Sequence, residues 1–277
     1  MSLARVHAVM AAGVDQPQLL QRWMADAAEL RALGVEPAGF DLRALAKFAG
    51  LGVKVRHNPL RSMFPLGFRL MSVAAIEIDL FSAYALQRSR AGHAFATDMA
   101  QRARDLVAFV GEWHDPSQHA HILLWDAMRY ELAVAQLRAP QSGETDRSDL
   151  RMSRPPCIRG DIALHELRSD PRVLADVLHA STSRLEDVPL QPQAFCFWRA
   201  FDGDHAGDHA GDTSVIAVDA LGQHLLSRID GKRSAAALAR ELGGGRDAAR
   251  AVAIALDSLA AIGIVALPQR RTRPACA

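Results

Sequence analysis

The eleven histidines are the residues of this sequence best suited to metal or proton chemistry, and two clusters hold five of them. HDPSQHAH contains His114, His119 and His121; the tandem duplication HAGDHAGD contains His205 and His209. Neither reads as HExxH, a facial triad or a pair of closely spaced cysteines, the patterns that place ligands around one metal ion. Asp115, Pro116 and Ser117 fit a turn and helix start, which accounts for part of the first cluster. The three cysteines, Cys157, Cys196 and Cys276, are odd in number and far apart, against both a disulfide framework and local zinc spacing. Cys196 lies in AFCFW and reads as a small core residue. No GxSxG, Walker loop or dinucleotide fingerprint occurs, and GGGRD follows a helix rather than a strand. Glu77 and Asp79 are two residues apart on a helix and so do not share a face. Glu77 reads as the partner of a neighbouring Arg, and Asp126, Arg129 and Glu131 as a structural ion-pair set. The expectation is no catalytic residue and no metal ligand in this chain.

One polar segment resists the same dismissal. VKVRHNPLRSMFPLGFRLM, Val53 to Met71, carries Lys54, Arg56, Arg61 and Arg69 beside His57 and Asn58. Pro59 and Pro65 forbid an uninterrupted helix through it. It reads either as a solvated basic connector or as an association surface. Arginines beside Leu60, Met63, Phe64, Leu66 and Phe68 favour the second, because that is hot-spot composition.

The elements that must carry this segment are helical. QPQLLQRWMADAAELRAL spaces Leu19, Leu20, Trp23, Met24, Ala27 and Leu30 near a 3.6 period, with Asp15 as cap and Pro17 in the first turn. FDLRALAKFAG follows, with Asp41 as cap and Gly50 as stop. Ser72 to Arg88, Thr97 to Trp113 and Gln118 to Leu137 give three more helices. The texture then changes. DIALHEL, QAFCFWRAF and TSVIAV are strand-like, and LGQHLLSRIDGKRSAAALARELGGGRDAARAVAIALDSLAAIGIVAL reads as three helices and a strand. Asp230-Gly231 and Gly243 to Gly245 are the breaks, and Ser234 is a cap. The chain is therefore expected to be α+β. Residues 1–139 form an α-helical bundle, 140–157 a linker, 158–268 an α+β domain with a winged-helix-like core at 192–268, and 269–277 a basic tail.

At 277 residues, 49% hydrophobic and 23% charged, the composition is that of a globular protein. A formal net charge of +1 offers no general attraction to nucleic acid or acidic lipid. No apolar run approaches the roughly 20 residues of a membrane span, and the N-terminal apolar stretch is short for a signal peptide. A cytoplasmic protein with no membrane contact is expected.

Two resemblances sharpen this. LLSRIDGKRSAAALARELGGG and AVAIALDSLAAIGIV resemble the peptide-recognition domains of ribosomal-peptide biosynthesis, over about Pro192 to Pro268. DNA-binding winged helices share that topology. KVRHNPLRSMFPLGFRLM, IEIDLFSAYA and WDAMRYELAVAQL resemble partner proteins of multinuclear non-heme iron-dependent oxidative enzymes that modify precursor peptides. Together the resemblances cover most of the chain. They imply an accessory subunit without a cofactor of its own, in a heterodimer with a TIM-barrel iron enzyme. It would hold the leader of a precursor peptide and present the core for oxidation. In the peptide-recognition family the leader lies against the third strand and last helix, which implies Val215, Ile216, Val218, Arg250, Val252 and Leu256 as peptide-binding residues. His57, Asn58, Arg61, Phe64 and Arg69 are the expected docking residues. The rival expectation is a winged-helix regulator binding DNA, but the last helix, AARAVAIALDSLAAIG, is poor in cations for phosphate contacts. A stand-alone oxidative enzyme using the scattered histidines is the third.

Overall fold

In the computed structural model, residues 3–91, 94–138, 155–180, 184–199 and 213–267 are described. The tandem HAGD repeat, most of the expected linker, the basic tail and Cys276 lie outside them. The protein is α+β, largely helical, with a three-stranded antiparallel sheet and a two-stranded one. Its contacts divide it into two units, Met1–Leu132 with Pro171–Pro189, and Ala133–Asp170 with Leu190–Ala277. The boundary thus departs from the expected one: Pro171–Pro189, inside the expected second domain, belongs with the helices.

The first unit contains α1 (Leu3–Asp15), α2 (Pro17–Ala25), α3 (Ala28–Ala32), α4 (Leu42–His57), α5 (Pro65–Val73), α6 (Glu77–Arg90), α7 (Met99–Trp113), most of α8 (His119–Arg138), and α9 (Pro171–His179). Local signals set several boundaries. Asp41 caps α4 by accepting from Ala44 N–H at 2.9 Å, and Asp98 caps α7 by accepting from Gln101 N–H at 2.7 Å. Pro17 begins α2 as expected, but Asp15 ends α1, a helix the sequence reading did not anticipate, and Gln16 takes the cap position without a side-chain bond. Val9, Leu20, Trp23, Leu30, Val35, Leu45 and Ala49 close one apolar cluster. Burying each large side chain contributes about 1.5–3 kcal/mol.

Two expectations are corrected. Gly50 does not stop its helix; α4 continues through it to His57. A Cβ at Gly50 would lie 2.7 Å from the Ser82 Cα and backbone nitrogen, so the missing side chain lets α4 and α6 touch backbone to backbone. The expected single helix from Ser72 to Arg88 is also two. α5 ends at Val73, Ala75 takes φ +56°, and Ile76 N–H reaches back to the Met71 carbonyl at 3.1 Å. That is a left-handed helix stop built on alanine instead of glycine, so no residue type marked it in advance.

The second unit holds β1 (Cys157–Ile158), β2 (Asp161–Leu167), β3 (Gln193–Arg199), β4 (Thr213–Val218), α10 (Ala220–Arg228), α11 (Ala235–Glu241), α12 (Gly245–Ala261) and β5 (Val265–Ala266). β2, β3 and β4 pair antiparallel in that order, Leu164 opposite Cys196 and Cys196 opposite Ile216. Ile162, Leu164, Cys196, Trp198, Ile216 and Val218 share one face of the sheet and pack with Leu225, Leu238, Val252 and Leu256. Phe195 and Phe197, on the other face, are also buried. A central strand buried on both sides reads as a continuous apolar run, as AFCFW does. Burial raises the Cys196 thiol to about 11 and leaves it inert as a nucleophile. Ser234 caps α11, accepting from Ala237 N–H at 3.2 Å. β5 pairs with β1, whose Cys157 had been assigned to the linker.

Gly50→Ala is expected to lose about 1–3 kcal/mol in urea unfolding, because the clash is with backbone. Ala75→Gly is expected to gain about 0.5–1 kcal/mol by the same measurement, since glycine adopts positive φ without steric cost. An Ala75→Gly protein no more stable than the parent would remove the strained-stop account.

Candidate functional site

The cationic segment from Val53 to Met71 is built from the end of α4, a 3-10 turn at Asn58–Ser62, and α5. Its charges are placed individually. Glu77, at the start of α6, is nearly buried and binds both Lys54 Nζ at 2.8 Å and Arg61 Nη2 at 2.7 Å. Glu77 therefore does pair with an arginine as the sequence reading expected, with a lysine as well. The Arg61 guanidinium also stands over the Phe68 ring, 4.8 Å from its centre. Arg69 donates from Nε and Nη2 to the Leu178 carbonyl at 3.0 and 2.6 Å, tying α5 to the last turn of α9. A cation suits that position, where helix carbonyls lack partners.

Two of the five expected docking residues are core. Phe64 is fully buried, and so is His57, whose ring lies among Phe81, Tyr84 and Phe95 at 5.1–5.7 Å. His57 Nδ1 donates to the Val53 carbonyl at 2.8 Å. Desolvation holds the imidazole below its ordinary pKa of 6.5, opposed by that hydrogen bond and aided by Arg102, Arg56 and Arg88. These two side chains anchor the segment from within; the other three of the five, Asn58, Arg61 and Arg69, are exposed. A charged neighbourhood gave no signal that the histidine between its arginines faces an aromatic interior.

Glu131 is the residue the sequence reading misjudged most. It is not in an ion-pair set with Asp126 and Arg129, which pair with each other at 3.8 Å. Its two carboxylate oxygens instead accept from Leu66 N–H at 2.8 Å and Gly67 N–H at 3.0 Å, the first turn of α5. Burial pushes its pKa up to about 7 while the Gly67 and Leu66 amides pull the other way. Beside it opens a cavity of about 820 Å³ within the first unit, lined by Arg61, Arg69, Tyr130, Arg172, Asp176 and His179 among others. Three of these, Arg61, Arg69 and Tyr130, lie in motifs quoted above from the sequence; the α9 residues come from a stretch that had suggested nothing.

The expected peptide-binding residues divide similarly. Val215, Ile216 and Val218 lie on β4, an outer strand of the sheet, and are partly buried. Arg250 is exposed on α12, but Val252 and Leu256 point inward and are 1% and 2% exposed. The face of α12 turned to solvent instead presents Arg250, Ile254 and Asp257, with Ile254 58% exposed.

Two histidines of the first cluster, His114 and His121, serve local structure. His114 Nδ1 donates to the Gly111 carbonyl at 2.7 Å and its ring stacks on Trp125. His121 Nδ1 accepts from Asp115 N–H at 3.1 Å and its ring stacks on Trp113. Asp115 accepts from Ser117 and Gln118, which lowers its pKa and closes the expected turn. Among the described residues no group of three His, Cys, Asp or Glu side chains is placed to hold a metal ion. Nor is any described helix long and apolar enough to cross a membrane. No family model matches the chain, and no curated protein matches it.

The Glu131 carboxyl predicts a pH dependence. Unfolded, it titrates near 4.5; folded, near 7. Between these values the folded state holds a proton that the unfolded state has released, so the contribution is destabilising as pH rises through the window and constant above it. Wild-type stability relative to Glu131→Gln is therefore expected to fall from about pH 4.5 to about pH 7. Urea unfolding of both proteins across that range measures it, and parallel profiles would show that Glu131 does not carry the effect.

Proposed function

We propose that this chain is a non-catalytic adaptor. It binds the leader of a ribosomally made precursor peptide along the outer edge of β4 and presents the core to a separate iron-bearing oxidative enzyme of TIM-barrel fold. The second unit runs β1 to β4 and then α10, α11, α12 and β5, and this order of strands before helices supports the reading as a winged-helix-like peptide-recognition module, which the sequence resembles.

The observation that carries the reading is the difference between the two edges of the three-stranded sheet. Open edges recruit further strands unless charge, proline or a bulge discourages them. β2, DIALHEL, carries Asp161, His165 and Glu166. β4, TSVIAV, carries no charge and no proline, and among the described residues its outer edge pairs with nothing. An extended peptide added there would gain main-chain hydrogen bonds, and alternate side chains would meet the sheet surface for specificity. On α12, Arg250 suits an acidic leader residue and Ile254 an apolar one. Retaining the leader raises the local concentration of the core, so its own contact with the iron enzyme can be weak. Asn58, Arg61 and Arg69, exposed on the Val53–Met71 segment, are the residues that would dock that enzyme, in a cytoplasmic heterodimer. DNA binding is disfavoured on charge: the exposed Arg246 and Arg250 of α12 are matched by the exposed Asp247 and Asp257, so these charges on that helix sum to zero.

Co-expression with neighbouring genes followed by purification is expected to recover an iron-bearing barrel protein and a short peptide. With that peptide in hand, hydrogen exchange is expected to slow on β4 and not on β2, and Arg250→Glu and Ile254→Asp to weaken binding about tenfold each. Protection of β2 instead, retention of duplex DNA at physiological salt, or oxidation by the isolated chain would overturn the proposal.

A further inference from the structure

The cavity of about 820 Å³ beside Glu131 falls in the size range of small-molecule pockets, roughly 300–1,000 Å³. Its charge balance is uneven. Lys54 and Arg61 share one carboxylate, Glu77, leaving one cation in excess. The two hydrogen bonds of Arg69 go to a neutral carbonyl, so its guanidinium meets no carboxylate among the described residues, and Nη1 lies outside both bonds. Arg172 also lines the cavity but is engaged in an interaction of its own and does not enter this balance. On the acidic side, both oxygens of Glu131 are taken by α5 amides, at the positive end of that helix. That leaves Asp176, which is exposed, as the opposing carboxylate of the lining. Pro65, Leu66, Pro171 and Ala175 supply apolar wall between these charges.

From this combination we infer that the cavity binds a small organic anion, a carboxylate on an apolar body, with its charged end at Arg69. A flat guanidinium with an uncommitted nitrogen suits a carboxylate's two oxygens. The apolar body would cover Leu66 and Ala175, and the residual positive charge at Arg61 would reinforce the field. A phosphate monoester offers the same anionic chemistry, so the headgroup is a variable of the test. The inference stands on the first unit alone; it shares Arg61 and Arg69 with the proposed docking surface, but its test uses the isolated chain and needs neither the leader peptide nor the iron enzyme.

The test is calorimetric titration of the full chain with 4-phenylbutyrate, its neutral amide, and phenethyl phosphate. Saturable one-to-one binding is expected for the carboxylate, with the amide about tenfold weaker or worse. Arg69→Gln keeps a donor for the Leu178 carbonyl while removing the charge, and is expected to weaken carboxylate binding about tenfold with little change in Tm. Asp176→Asn removes the opposing charge and is expected to tighten it about two- to threefold. Phenethyl phosphate binding more tightly than phenylbutyrate, with the same response to both substitutions, would support the site and assign it a phosphate headgroup. Equal affinity for acid and amide, indifference to Arg69→Gln, or no saturation at millimolar ligand would overturn the inference.

Discussion

One carboxylate holds the helical unit in register. Glu131 reaches from α8 to two backbone amides at the start of α5, more than sixty positions earlier in the chain. The Pro65 ring begins that helix, and the next two amides have no intrahelical acceptor. A local cap would have satisfied one of them, but Phe64 occupies the cap position and is spent on the core. The distant glutamate does the work of the missing cap, and in doing so positions Arg61, Phe68 and Arg69 around one opening. The close approach of α5 to α8 depends on the same place: a Cβ at Gly67 would sit 2.5 Å from the Met128 sulfur.

That arrangement explains why the fold was more legible in the sequence than the site. Helix starts at Asp41 and Ser234, and the breaks at Asp230-Gly231 and Gly243 to Gly245, are decided within four residues, so local chemistry reveals them. β2, β3 and β4 lie where β-branched and aromatic composition placed them. The errors have long-range causes. Gly50 looked like a stop because the neighbour that requires it, Ser82, is thirty-two residues away. His57 looked exposed because its neighbours in sequence are charged, whereas its neighbours in space are aromatic rings. α9 was missed between two strands, although its apolar positions, Leu174 and Leu178, are one turn apart.

The polar groups of the first unit are mostly committed to structure. Glu77 gathers two cations, Asp115 closes a turn, and His114 and His121 stack on tryptophans. Among the described residues, one cavity of the first unit keeps an excess of positive charge and the outer edge of β4 in the second unit is unpaired. Both are features of recognition. Glu131 has a raised pKa, and both of its oxygens are occupied by amides.

The course of the chain has a practical bearing on how the molecule can be taken apart. It leaves the helical unit along α8, forms β1 and β2, returns as Pro171–Pro189, and departs again for β3. No single cut separates the two halves: severing the chain anywhere from 140 to 157 strips α9, and with it Arg172, Asp176 and His179, from the amino-terminal fragment. A fragment truncated there would present α5 with Arg69 deprived of its carbonyl acceptor, so dissection by truncation would damage the very wall it aimed to isolate.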